Sequence, residues 1–174
     1  EVFQQNQGKI TYDILSLPSQ LPFLHQVLCE TMRLYTGLSV IDRQCMEING
    51  YSLEPYSHFK IPLGMPIWVP IHAIAKDEKY FPQPLKFDPN RFNNADNLPP
   101  CSFLFPFGAG PKQCIGQRLA LIQVKTAIVS VLKEFRIEMN ANTPREIKLK
   151  KDAFLIESDE RLVVDFVKNP LKFT

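Results

Sequence analysis

The 174-residue sequence predicts a mainly α-helical fold carrying small antiparallel β-sheets. Three patterns carry that expectation. Two stretches of helical periodicity stand far apart, residues 20–36 and 115–135. Between them, eleven of the fifteen prolines fall from Pro55 to Pro111, a density that forbids long helices because each interior proline removes a backbone donor. Beyond the second helical stretch, polar and apolar residues alternate as they do in half-buried strands.

The first helical stretch, QLPFLHQVLCETMRLYT, places Leu24, Val27, Leu28, Thr31 and Tyr35 on one face, with Pro22 near its start and Gly37 past its end. The stretch CMEINGYSL reads as a hairpin about Asn49-Gly50, and MPIWVPIH as a short strand broken by prolines. Trp68 and Phe81 are assigned to core packing. The second helical stretch, IGQRLALIQVKTAIVSVLKEF, spans roughly 30 Å at 1.5 Å per residue. It is apolar almost all round, as in a helix buried within a larger protein. The tail, REIKLKKDAFLIESDERLVVDFVK, reads as strands with Ser158-Asp159 at a hairpin tip.

Composition removes several function classes. Twenty basic against eighteen acidic residues give a net charge of +2, and no basic stripe interleaved with aromatics suggests nucleic acid. The apolar runs are too short to span a bilayer. Cys29, Cys45, Cys101 and Cys114 form no C-x-x-C pair and do not cluster with His25, His58 or His72 at zinc spacing, so free thiols are expected. The chain opens at Glu1 in mid-pattern, with no leader, and is expected to be part of a longer protein.

The stretch FGAGPKQCIG, Phe107 to Gly116, presents a lone cysteine in a glycine-framed loop before a helix. Helix-terminal N–H groups and the helix dipole favour a thiolate at Cys114. Gly108, Gly110 and Gly116 allow close backbone approach to a flat object, Pro111 stiffens the loop, and Phe107 offers an aromatic surface beside the sulfur. Lys112 adds a cation. Such a loop suits a thiolate that ligates the metal of a planar cofactor; an ordinary buried thiol is the alternative.

Here the sequence resembles a family. Phe107-x-x-Gly110-x-Lys112-x-Cys114-x-Gly116 matches the haem-ligand signature of the cytochrome P450 monooxygenases. Its Phe, Gly, Cys and Gly positions arise by chance in on the order of one in a few thousand chains of this length. Where the family pattern carries arginine, this chain has Lys112, a point charge without the bidentate fork. Glu30-Thr-Met-Arg33 resembles the family's E-x-x-R helix, and Phe87-Asp-Pro89-Asn-Arg91-Phe92 its meander. Stretches such as GKITYDIL, ETMRLY and GPKQCIG look most like the insect microsomal, detoxification-type branch.

The resemblance implies that residues 1–174 are the C-terminal portion of a single cytochrome P450 domain: E-x-x-R helix, meander, cysteine loop, long buried helix and β tail. The N-terminal anchor is then outside this chain. So is the central helix, whose threonine helps deliver protons to bound oxygen, and with them the catalytic groups of that helix. It further implies haem b (iron protoporphyrin IX), with Cys114 as axial ligand to the iron, Phe107 and Gly110 framing it, and Arg43 and Lys112 on the propionates. Glu30, Arg33 and Arg91 are implied to form a structural charge network. Periodicity alone makes Glu30 and Arg33 a solvated i, i+3 pair, because both lie opposite the apolar stripe.

Leu38, Ser39, Val40, Leu155 and Ile156 are implied to line a pocket for lipophilic small-molecule substrates; each is equally explained by packing. The implied activity is insertion of one atom of O2 into such a substrate. Electrons come from NADPH through NADPH–cytochrome P450 reductase, with cytochrome b5 as an additional donor, at the cytosolic face of the endoplasmic reticulum membrane. The isolated chain is expected to be inactive. Lys112, Arg118 and Lys125 are either solvated charges or a face for an acidic electron donor. A haem-thiolate isomerase or dehydratase on the same fold, and a truncated haem- or redox-binding product, are the rival readings.

Overall fold

A computed structural model describes residues 2–6, 9–93, 106–151 and 155–168. Two short helices open the chain: α1, Val2–Gln5, and α2, Tyr12–Ser16. The Thr11 hydroxyl caps α2 by accepting from the Ile14 N–H. A single 3-10 turn over Pro18–Gln20 leads into α3, Pro22–Leu34, where proline at the first turn sacrifices no intrahelical bond. Tyr35 leaves helical geometry and its N–H closes on the Thr31 carbonyl at 2.9 Å.

The proline-rich middle holds two small antiparallel sheets. Strand β1, Ile41–Gln44, pairs with β4, Pro66–Val69, in the register Ile41 to Val69 and Arg43 to Ile67. Strand β2, Tyr51–Ser52, pairs with β3, Lys60–Ile61. Helix α4, Ile71–Ala75, follows β4, and a 3-10 turn over Pro89–Phe92 forms the meander, capped by the Asp88 carboxylate on the Asn90 N–H. Helix α5, Gln117–Glu134, runs into β5, Phe135–Met139, which pairs with β6, Val164–Lys168. This is a mainly helical fold with small antiparallel sheets. Helix α3 packs on α4 and on the meander turn, and α2 lies against α5. The buried apolar residues are drawn from all of these: Ile14 and Leu15, Leu28 and Leu34, Ile71 and Ala75, Phe81 and Val129.

Several expectations need correction. Asn49-Gly50 does turn the chain, with Gly50 at φ 75° and its N–H bonded to the Glu47 carbonyl. Yet Tyr51 pairs with Ile61 and not with the strand before the turn, so no hairpin forms about it. Ile71 and His72 belong to α4 and not to a strand, because Pro70 ends the β4 pairing. Ser158 bridges Leu149, and the Asp159 N–H donates to the Lys148 carbonyl, so Ser158-Asp159 lies in a paired arm and not at a tip. Residues 152–154 of that tail, and Cys101, lie outside the described residues. Trp68 is 73% exposed, on the outer face of β4 opposite Asp42, whereas Phe81 is buried as expected.

The long helix is not buried all round here. Only Lys125 and Val129 of α5 are buried, while Leu119, Val124 and Leu132 are exposed, because α2 is the helix that covers it. On α3, Thr31 and Tyr35 face outward, and the buried side carries Leu28, Glu30, Arg33 and Leu34.

Candidate functional site

The cysteine loop gets its shape from backbone conformations that only glycine adopts without strain. Gly108 and Gly110 sit at φ 71° and 76°. Between Gly110 and Lys112 the chain makes one 3-10 turn, and the Gln113 N–H closes on the Gly110 carbonyl. The Cys114 N–H donates to the Phe107 carbonyl at 2.9 Å, drawing the two ends of the loop together. Cys114 is a free, exposed thiol two residues before Gly116, the N-cap of α5, and its carbonyl accepts from the Gln117 N–H. A Cβ on Gly116 would stand 3.8 Å from the sulfur, and one on Gly110 would meet nothing within 4 Å. Lys112 is exposed on the same turn, and Phe107 is half-buried at the loop's start.

Strand β1 brings Arg43 to this loop. Ile41 and Arg43 share the inner face of the β1–β4 pair, and a Cβ on Gly108 would stand 3.8 Å from Ile41 Cδ1 and 3.9 Å from Arg43 Nη2. A second guanidinium nitrogen, Nη1, donates to the Asp42 carbonyl at 2.7 Å. A thiol donor, a glycine-framed opening and a guanidinium therefore meet at one edge. That set of donors fits a flat, metal-bearing, acidic group.

A second constellation is a buried charge network on α3. Glu30 is 0% and Arg33 1% exposed, so the solvated pair that periodicity suggests is not what forms. Arg33 Nε and Nη2 donate to the two Glu30 oxygens at 2.7 and 2.8 Å. The Asp88 N–H adds a third bond to Glu30 Oε1 at 2.9 Å. Arg33 Nη1 donates to the Ala75 carbonyl at 2.6 Å, and its guanidinium lies 5.1 Å over the Phe81 ring. Arg91 Nε stands 3.4 Å from Glu30 Oε1 without an aligned hydrogen bond, and its Nη2 donates to the Gln83 carbonyl at 2.8 Å. The network thus ties α3 to α4 and to the meander.

The segments expected to line a pocket are also brought together. Leu38 bridges Leu155, and the Ile156 N–H donates to the Gly37 carbonyl at 3.2 Å. Leu38, Val40 and Leu155 keep exposed apolar side chains, Ser39 is exposed and Ile156 half-buried.

Lys125 is neither solvated nor part of a charged face with Lys112 and Arg118. It is buried, and its ammonium donates to the Leu15 carbonyl at 3.1 Å, so it clamps α5 onto α2. Burial holds its pKa below the ordinary lysine value, against a smaller opposing influence from Cys29. Burial likewise pushes the Cys29 thiol up, and its sulfur lies 3.6 Å from His25 Nε2. Sequence reasoning missed the backbone groups of Asp88, Ala75, Gln83 and Lys86, which no side-chain pattern reports, and the pair of His72 and buried Thr36, 3.0 Å apart.

The family model described as Cytochrome P450 matches residues 1–164. Probable cytochrome P450 6t3 of Drosophila melanogaster is 36% identical over 93% of this chain and 32% of its own length. Cytochrome P450 9e2 of Blattella germanica is 39% identical over 90% of this chain and 28% of its own. Probable cytochrome P450 6g2 of Drosophila melanogaster is 34% identical over 96% and 32% respectively. This chain therefore spans about a third of the length of the curated relatives it matches. With the family match running over nearly all its residues, and with insect relatives of this identity, the chain belongs to the cytochrome P450 family, in its insect branch.

Proposed function

We propose that this chain is the C-terminal, proximal portion of a haem-thiolate monooxygenase. The whole protein inserts one atom of O2 into lipophilic substrates, with electrons from NADPH through a flavoprotein reductase and cytochrome b5 as a second donor. We place it at the cytosolic face of the endoplasmic reticulum membrane, as the resemblance to microsomal members suggests. Cys114 carries this reading: an exposed free thiol held by a glycine-framed loop at the start of α5, beside the Arg43 guanidinium, in a chain of this family.

Within that assignment Cys114 would hold the iron of haem b through its sulfur. Phe107 and Gly110 would shape the loop around that bond. Arg43 and Lys112 would face the acidic edge, Arg43 with a fork that matches a carboxylate and Lys112 with a single point charge. When bound, the haem would supply the oxygen-activating redox chemistry, and the Cys114 thiolate would donate electron density to it. The chain's own contribution is positional. Glu30, Arg33 and Arg91 fix α3, α4 and the meander relative to one another, and Leu38, Ser39, Val40, Leu155 and Ile156 offer an apolar wall with one hydroxyl.

The test is a spectrum of the full-length protein. The reduced carbon-monoxide complex should show the long-wavelength band of a thiolate ligand. Cys114→Ser should lose it, while Cys29→Ser, Cys45→Ser and Cys101→Ser should keep it. Retention of the band by Cys114→Ser would end the proposal.

A further inference from the structure

We propose that Thr36 and His72 form a latch that sets the position of Leu38, Ser39 and Val40, and thereby which lipophilic ligands the pocket admits; the proposal rests on reading that segment as pocket wall. Thr36 follows α3 by two residues and is completely buried. Its Oγ1 lies 3.0 Å from His72 Nδ1. The same histidine's backbone N–H donates to the Ser39 carbonyl at 3.1 Å. One residue of α4 therefore grips both ends of the four-residue stretch from Thr36 to Ser39.

The middle of that stretch is gripped from the other side. The Gly37 carbonyl accepts from the Ile156 N–H, and Leu38 bridges Leu155. The backbone is thus pinned between α4 and the tail, while the Leu38 and Val40 side chains stay exposed. In either tautomer one proton lies between Thr36 Oγ1 and His72 Nδ1, so loss of either group strands a hydrogen-bonding atom in a place water reaches poorly. The local remedy is a shift of the stretch, which carries Leu38 and Val40 with it. His72 and Thr36 act through the wall and are positioning residues.

The experiment uses the full-length, haem-loaded protein and two spectral probes. 1-Phenylimidazole binds the iron through nitrogen and fills the pocket with its ring; imidazole binds the iron alone. In His72→Ala and Thr36→Val, the 1-phenylimidazole Kd should change by about 5- to 30-fold, with the imidazole Kd and the haem content unchanged. His72→Asn, whose amide takes the place of Nδ1, should restore the wild-type ratio of the two constants. Leu38→Ala tests the wall independently. If it moves the ratio and both latch variants leave it unchanged, the latch is wrong and the wall reading stands. If Leu38→Ala also leaves the ratio unchanged, the wall reading fails and the latch with it. Equal shifts for both probes would place the effect at the iron and overturn the proposal. Should His72→Ala fail to load haem, Thr36→Val, which preserves the volume, decides by the same ratio.

Discussion

Removing the Glu30 carboxylate should take away a substantial part of the protein's margin of stability. In Glu30→Ala, Arg33 loses two of its hydrogen bonds and keeps a full positive charge at 1% exposure, while the Asp88 N–H loses its acceptor. Stranding a buried charge in this way costs about 3–5 kcal/mol. A folded protein typically holds about 5–15 kcal/mol in total. Glu30→Gln is not a silent replacement: both Glu30 oxygens accept, so in either orientation the amide NH2 faces a donor. It should cost about 1.5–3 kcal/mol, the worth of a hydrogen bond to a charged group. Adding Arg33→Met to Glu30→Ala removes the stranded charge, so the double variant should lose about 2 kcal/mol less than the sum of the singles. Urea unfolding of the full-length haem-loaded protein, followed by haem absorbance and far-ultraviolet circular dichroism, measures all four. A Glu30→Ala penalty of about 0.5 kcal/mol or less, the value of a solvated helix pair, would refute the reasoning.

Gly108→Ala should cost about 1–2 kcal/mol through its φ of 71° and weaken haem retention, whereas Gly116→Ala, at φ −86° and with space for a Cβ, should cost little; haem loss on titration with apomyoglobin ranks them. Acid should destabilise the fold through two histidines. His25 is held below the ordinary imidazole value by burial and then by Lys125, and His72 by burial and then by Lys76. The unfolded chain therefore takes up protons first, and stability falls as pH drops from about 6.5. A His25→Asn/His72→Asn variant should show a shallower fall in urea midpoint between pH 7.5 and 5.5; an equal slope counts against it. The isolated 174-residue chain should aggregate and bind haem heterogeneously, since Ile115, Leu119, Val124 and Leu132 are exposed along one helix and its approach. A monomer with stoichiometric haem by analytical ultracentrifugation would contradict this.

The two long helices were legible because their signals are local. Pro22 opens α3, apolar spacing continues both long helices, and glycines flank a cysteine where α5 begins. The burial of Glu30 and Arg33 was not legible from periodicity, which counts apolar residues and so turns a charged face outward by default. Their cover comes from Ala75, Asp88 and Arg91, far along the chain, and only the family resemblance pointed there. Lys125 misled for the same reason: its stem and ammonium are enclosed by a carbonyl of α2, a partner without a side-chain signature. The turn at Asn49-Gly50 was visible, but the choice of Ile61 over a nearer strand is a tertiary decision. Thr36 and His72 are ordinary residues at an uninformative spacing, and nothing before the structure joins them.

The distance along the chain between Glu30 and its third donor has a consequence for synthesis. Asp88 lies 58 residues after Glu30, which at 5–20 residues per second separates their appearance by about 3–12 s. For that interval Glu30 is held by Arg33, three residues away on the same helix, without the Asp88 N–H or Arg91. The solvated pair that periodicity describes is then the nascent state, and the buried network its successor. A ribosome-bound chain stalled before Asp88 should leave α3 open to protease, and one stalled after Arg91 has left the exit tunnel should protect it. Equal protection at both lengths would show that α3 is secured without the meander.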